Sequence, residues 1–68
     1  MTNLEYENLV NKHLSRYNYK VTFTPENPTT VRVYNIYGIY MGRETLPRED
    51  TPEKMAQVIK EHFQGLFR

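Results

Sequence analysis

Ser15 is the only serine in this 68-residue chain, Asp50 is the only aspartate, and His13 and His62 are the only imidazoles. A nucleophile–base–orienter relay would have to be assembled from those four side chains. Their spacing works against it. On a helix, Ser15 falls on the polar side and His13 on the apolar stripe, so the two do not face each other. No strand-to-helix elbow frames the serine either. His13 and His62 take equivalent places in the apolar stripes of two helices and would approach each other if those helices packed side by side. Tetrahedral zinc wants three or four protein ligands, yet the chain has no cysteine and no third histidine, and Glu7 and Glu61 lie off the stripes. The expectation is two imidazoles at the edge of a core, no metal and no cofactor. A pH-sensitive contact is the other use such residues have. Glu44, Glu49, Asp50 and Glu53 alternate with Arg43, Arg48 and Lys54, which reads as mutual neutralisation in a solvated loop. The glycines stand singly at 38, 42 and 65, so no phosphate-cradling loop is present. These residues point away from an enzyme.

Composition narrows the class further. Nine Lys/Arg against eight Asp/Glu leave a formal charge of +1, which steers weakly toward nucleic acid or an acidic membrane. The segment MTNLEYENL lacks the basic and apolar blocks of a leader peptide. No apolar run nears the ~20 residues needed to cross a bilayer. A cytoplasmic, soluble, single domain over residues 1–68 is expected, with no membrane partner. Six Tyr and three Phe make the chain rich in aromatics.

The elements that must position these side chains follow from periodicity. Thr2 and Glu5 have capping-box spacing. Leu4, Tyr6, Leu9, Val10, His13, Leu14 and Tyr17 then recur near helical period, which predicts a helix ending at Asn18. Tyr19–Thr24 alternates with period two, and Pro25-Glu-Asn-Pro28 breaks it. A β-rich run spans Thr29–Tyr37, Gly38 marks a turn, and Ile39-Tyr40-Met41 starts a third strand. Gly42–Asp50 reads as irregular. Thr51 caps a last helix with Pro52 in its first turn, and Met55, Val58, Ile59, His62, Phe63, Leu66 and Phe67 make its stripe. The expected fold is α+β, αβββα, a three-stranded antiparallel sheet with two helices packed on one face.

That arrangement leaves one sheet face uncovered. If Val31 and Val33 face the helices, Arg32, Tyr34 and Ile36 point the other way, with Lys20, Thr22 and Thr24 beside them and Tyr40 added by the third strand. Tyr and Arg are enriched at protein interfaces, and aromatics interleaved with cations also stack on bases. The candidate contact residues are Arg32, Tyr34, Ile36 and Tyr40, helped by Arg43 and Arg48 in the loop.

The element order and the segment NPTTVRVYNIYG before a terminal amphipathic helix resemble the double-stranded RNA-binding domain. That family grips phosphates with lysines at the start of its last helix and with a Gly-Pro-x-His loop. Here the matching positions read Thr51-Pro-Glu-Lys-Met55 and Pro25-Glu-Asn-Pro28, so neither gripping element is present. The order, the length and the Tyr/Asn/Lys-rich style are also similar to small phage-encoded inhibitors, including certain anti-CRISPR proteins. DNA-mimicking members are acidic, and this chain is not. The resemblance implies an accessory or inhibitor protein docking on a larger protein. A weak nucleic-acid binder using Lys20, Arg32, Tyr34 and Tyr40 is the second expectation, and a homodimer pairing its sheet face or edge strand is the third.

Overall fold

In a computed structural model, which describes residues 1–67, the chain forms helix α1 (Asn3–His13), strands β1 (Tyr19–Phe23), β2 (Thr29–Asn35) and β3 (Tyr40–Leu46), and helix α2 (Pro52–His62). The strands lie in the order β1-β2-β3, both pairings antiparallel. Both helices cover one face of this sheet. Tyr6, Val10 and Leu14 of the α1 segment meet Met55, Ala56 and Ile59 of α2 over Val21, Phe23, Val31, Val33 and Leu46. The αβββα reading is therefore the observed fold, and the inward face of β2 is Val31/Val33, both fully buried.

Local chemistry accounts for the boundaries. The Thr2–Glu5 capping box closes in both directions: Thr2 Oγ1 accepts the Glu5 N–H at 3.1 Å and Thr2 N–H donates to Glu5 Oε1 at 3.2 Å. Thr51 Oγ1 likewise accepts the Lys54 N–H at 3.2 Å, with Pro52 in the first turn. Helix α1 stops earlier than Asn18. The Leu14 N–H turns back to Val10 O and Asn11 O, and Tyr17 N–H closes a tight turn on Leu14 O at 3.0 Å. The reversal drops Leu14 into the core, and no non-glycine residue, Asn18 included, has positive φ.

Two strand limits differ from the periodic reading. Strand β2 ends at Asn35, because the Asn35 carboxamide Oδ1 accepts N–H groups from Tyr37 (2.9 Å) and Ile39 (3.0 Å) and folds the chain over. Gly38, at φ +79°, completes the turn, its N–H donating to Asn35 O. Strand β3 runs on to Leu46 through residues expected to be irregular. Register slips between Val33 and Tyr34, Met41 becomes the extra residue, and Gly42 at φ +154° absorbs the distortion. Pairing then resumes, carrying Leu46 into the core opposite Thr29.

Candidate binding surface

The register assigns the uncovered face residue by residue. Lys20, Tyr34 and Tyr40 form one row across the sheet, and Thr22, Arg32 and Arg43 form the next. Thr30 and Thr45 pair in a third row, with Thr24 joined to Thr30 by a 3.2 Å backbone hydrogen bond. Tyr34 and Tyr40 meet edge to face, ring centroids 5.8 Å apart at 61°. Lys20, Arg32 and Arg43 are thus three cations on a face that carries no carboxylate, so the rest of the chain is net acidic. Like charges directly opposite across strands repel, yet Arg32 and Arg43 are Cα partners. Among the described residues the one ion pair is Lys54–Asp50 at 3.3 Å, exposed on both sides and remote in sequence from this face.

The hairpin joining β2 to β3 displays apolar side chains at one end of the sheet. Ile36 is 59% exposed, Tyr37 81%, Ile39 59%, Tyr40 50% and Met41 41%. Isolated exposed apolar residues are ordinary; here five lie within one short stretch of chain. Asn35 holds the loop from inside, so these side chains are displayed on a pre-formed turn.

The candidate residues separate accordingly. Arg32, Tyr34, Tyr40 and Arg43 share the uncovered face, Arg43 from β3 and not from a loop. Ile36 lies beyond the strand, at the start of the exposed turn. Arg48 has a different place: its guanidinium bonds Thr24 O and Thr29 Oγ1 and lies 5.1 Å from the Tyr6 ring centroid and 5.9 Å from that of Phe23. It closes the end of the core, bonding the buried Thr29 hydroxyl, which itself donates to Thr24 O at 2.8 Å. Beside it the Tyr6 hydroxyl donates to Glu49 O at 2.6 Å. Burial pushes the Tyr6 phenol above its ordinary ionisation range, with the Arg48 charge acting in the opposite sense.

The histidines are not in the core edge. Both are exposed as the last residue of their helix: Tyr6 and Val10 of α1 with its C-cap Leu14 are buried, a stripe that also leaves Leu4 and Leu9 outside, and α2 buries Met55, Ala56 and Ile59. Among the described residues no group of three or more His, Asp or Glu is placed to hold a metal ion, and no hydrogen bond joins Ser15 to an imidazole. A shallow cleft of about 270 Å³ lies between Asn11, Tyr17, Lys20 and Ile36, at the edge of the same surface. No helix among the described residues is long and apolar enough to cross a membrane.

No family model matches the chain, and no curated protein or solved structure matches it.

Alternation in β2 points to Arg32 and Tyr34 on the uncovered face but carries no signal for the tip, where Asn35, Tyr37, Ile39 and Met41 belong to a turn and a bulge that period two does not encode. The available signal was Asn35 three residues before Gly38, a spacing that lets a carboxamide close the turn.

Proposed function

We propose that this chain is a non-catalytic protein-binding module whose contact surface is the β2–β3 hairpin tip continuous with the uncovered sheet face. The observation that carries the reading is the group Ile36, Tyr37, Ile39, Tyr40 and Met41, exposed together on a turn fixed by Asn35. Aliphatic side chains of this size gain from leaving water only against another apolar surface, about 1.5–3 kcal/mol for each one fully buried. Phosphate and sugar offer no such surface, whereas a cleft in a protein does. Lys20, Arg32 and Arg43 beside the tip favour a partner that is acidic around that cleft. An accessory or inhibitory role on a larger protein fits a module of this kind.

The test is quantitative capture of partner proteins on immobilised chain, run with wild type and with the double variant Tyr37→Ser/Ile39→Ser. Both sites are solvent-exposed, so the variant stays folded. Capture of a discrete protein by wild type, lost with the variant, supports the reading; equal capture by both contradicts it. The cationic face with its Tyr34–Tyr40 pair also supports a second reading, single-stranded nucleic-acid binding. Nuclease-sensitive retention of oligonucleotide by both proteins would establish that reading instead.

A further inference from the structure

The two edges of the sheet are treated differently. In an antiparallel pair the backbone groups of alternate residues point toward the partner strand and the others point away. The Thr24 N–H bonds Thr30 O, so Lys20, Thr22 and Thr24 face β2, while Val21 and Phe23 turn their backbone groups outward. Helix α1 meets these outward groups with side chains. Asn11 Oδ1 accepts the Val21 N–H at 2.8 Å and its Nδ2 donates to Val21 O at 3.0 Å. Glu7 Oε1 accepts the Phe23 N–H at 3.0 Å, and Asn3 Nδ2 donates to Phe23 O at 3.3 Å. Asn3, Glu7 and Asn11 sit four residues apart on one stripe and stand in for a neighbouring strand. The β1 edge is sealed.

At β3 the same parity runs through the Asn35 N–H, which bonds Ile39 O. Thr29, Val31 and Val33 therefore bond Leu46, Glu44 and Gly42, and the backbone N–H and C=O of Arg43 and Thr45 point away from the sheet. Among the described residues no helix side chain bonds this edge as Asn3, Glu7 and Asn11 bond β1, and Arg43, Glu44 and Thr45 are all exposed. An unsealed edge is a template for another strand.

Resting on the protein-binding reading above, we infer that the β3 edge takes up an extended acidic segment of the partner as a fourth strand, bonded to the backbone of Arg43 and Thr45. Charge selects the occupant. A strand in that position places alternate side chains beside Arg43, with Arg32 directly behind it, on the face that has no carboxylate. Its intervening side chains fall beside Glu44 on the other face, so carboxylates belong on alternate positions only. A second copy of this chain fits badly. A two-fold register centred on Arg43 sets arginine on arginine, and one centred on Glu44 sets glutamate on glutamate. A register centred on Thr45 sets Arg43 against Pro47, which has no N–H to give.

The experiment is an amide NMR titration of the whole chain with the peptide acetyl-Thr-Glu-Val-Glu-Val-Glu-Thr-amide. The same peptide with Lys for Glu, and oligothymidylate, are titrated in parallel. The expected result is shifts and slowed exchange centred on the Arg43 and Thr45 amides with the Glu peptide alone. Thr45→Pro removes an outward N–H and should abolish binding. Arg43→Glu leaves the backbone intact and should weaken it about tenfold, equivalent to roughly 1.4 kcal/mol. Gln57→Ala, on the exposed side of α2, should leave it unchanged. Equal binding of the Lys peptide, shifts by oligothymidylate alone, self-association through these amides, or no shift at Arg43 and Thr45 would each overturn strand addition. Tip-dependent capture of a partner would survive that failure, so the two proposals fail separately.

Discussion

Arg48 shows how one side chain can look like a contact residue and serve as a closure. Its guanidinium spans Thr24 O, Thr29 Oγ1 and the rings of Tyr6 and Phe23, and the Arg48 N–H donates to Asn27 Oδ1 at 3.1 Å. Replacing it by Met keeps the stem and leaves the Thr24 carbonyl without this donor. Arg48→Met should lower stability by about 1–3 kcal/mol in urea denaturation while leaving partner capture per folded molecule unchanged. A loss of capture at full stability would return Arg48 to the contact surface. Tyr6 beside it gives a pH signature. Its phenol is raised above the unfolded value of about 10, chiefly by burial. Above that pH the unfolded chain loses a proton that the folded chain keeps, so the stabilisation present at lower pH declines as pH rises through the folded value. Denaturation midpoints measured at neutral pH and above about pH 10 should fall less steeply for Tyr6→Phe than for wild type. Parallel slopes would show that Tyr6 ionises alike in both states. Neither role was legible in the sequence: Arg48 sits in a run of mixed charge, and only the return of the chain past Thr24 and Thr29 brings it onto two aromatic rings.

At the scale of elements, the strongly periodic segments declared themselves and the transitions did not. Met55/Ile59 could be placed facing a core from helical spacing, because α2 has one polar and one apolar side, whereas alternation in β2 offers two apolar pairs, Val31/Val33 and Tyr34/Ile36, and the packing of the helices decides for the valines. The end of α1 is set by a turn at Leu14, the end of β2 by the Asn35 carboxamide, and the length of β3 by the bulge at Gly42. Each is decided by a hydrogen bond or a backbone angle that hydrophobic periodicity does not encode. The stripe Asn3, Glu7 and Asn11 is the clearest case. It reads as a solvated helix face, yet it supplies the bonds that close the β1 edge. Asn11→Ala removes two of them and leaves Val21 N–H and C=O without these partners. The expected outcome is a loss of about 1–3 kcal/mol together with concentration-dependent self-association in sedimentation velocity. A variant of unchanged stability that stays monomeric would mean the edge does not need the seal.

Across the whole molecule, the helices, the Arg48 closure and the sealed β1 edge protect three sides of the sheet, and the uncovered face, the hairpin tip and the β3 edge lie together on what remains. The combination of an apolar tip with a cationic face predicts a particular salt response. Raising ionic strength should slow association through screening of Lys20, Arg32 and Arg43, while the complex, held by tip burial, persists. A nucleic-acid complex would instead weaken steeply and continuously with salt. The most direct measurement is site-specific photo-crosslinking in cell lysate, with the reactive group placed at Tyr37 on the tip or, as control, at Gln57 on the exposed side of α2. The account predicts a discrete protein adduct from Tyr37 and none from Gln57, undiminished by nuclease. No adduct from Tyr37, an equal one from Gln57, or one that nuclease removes would contradict it.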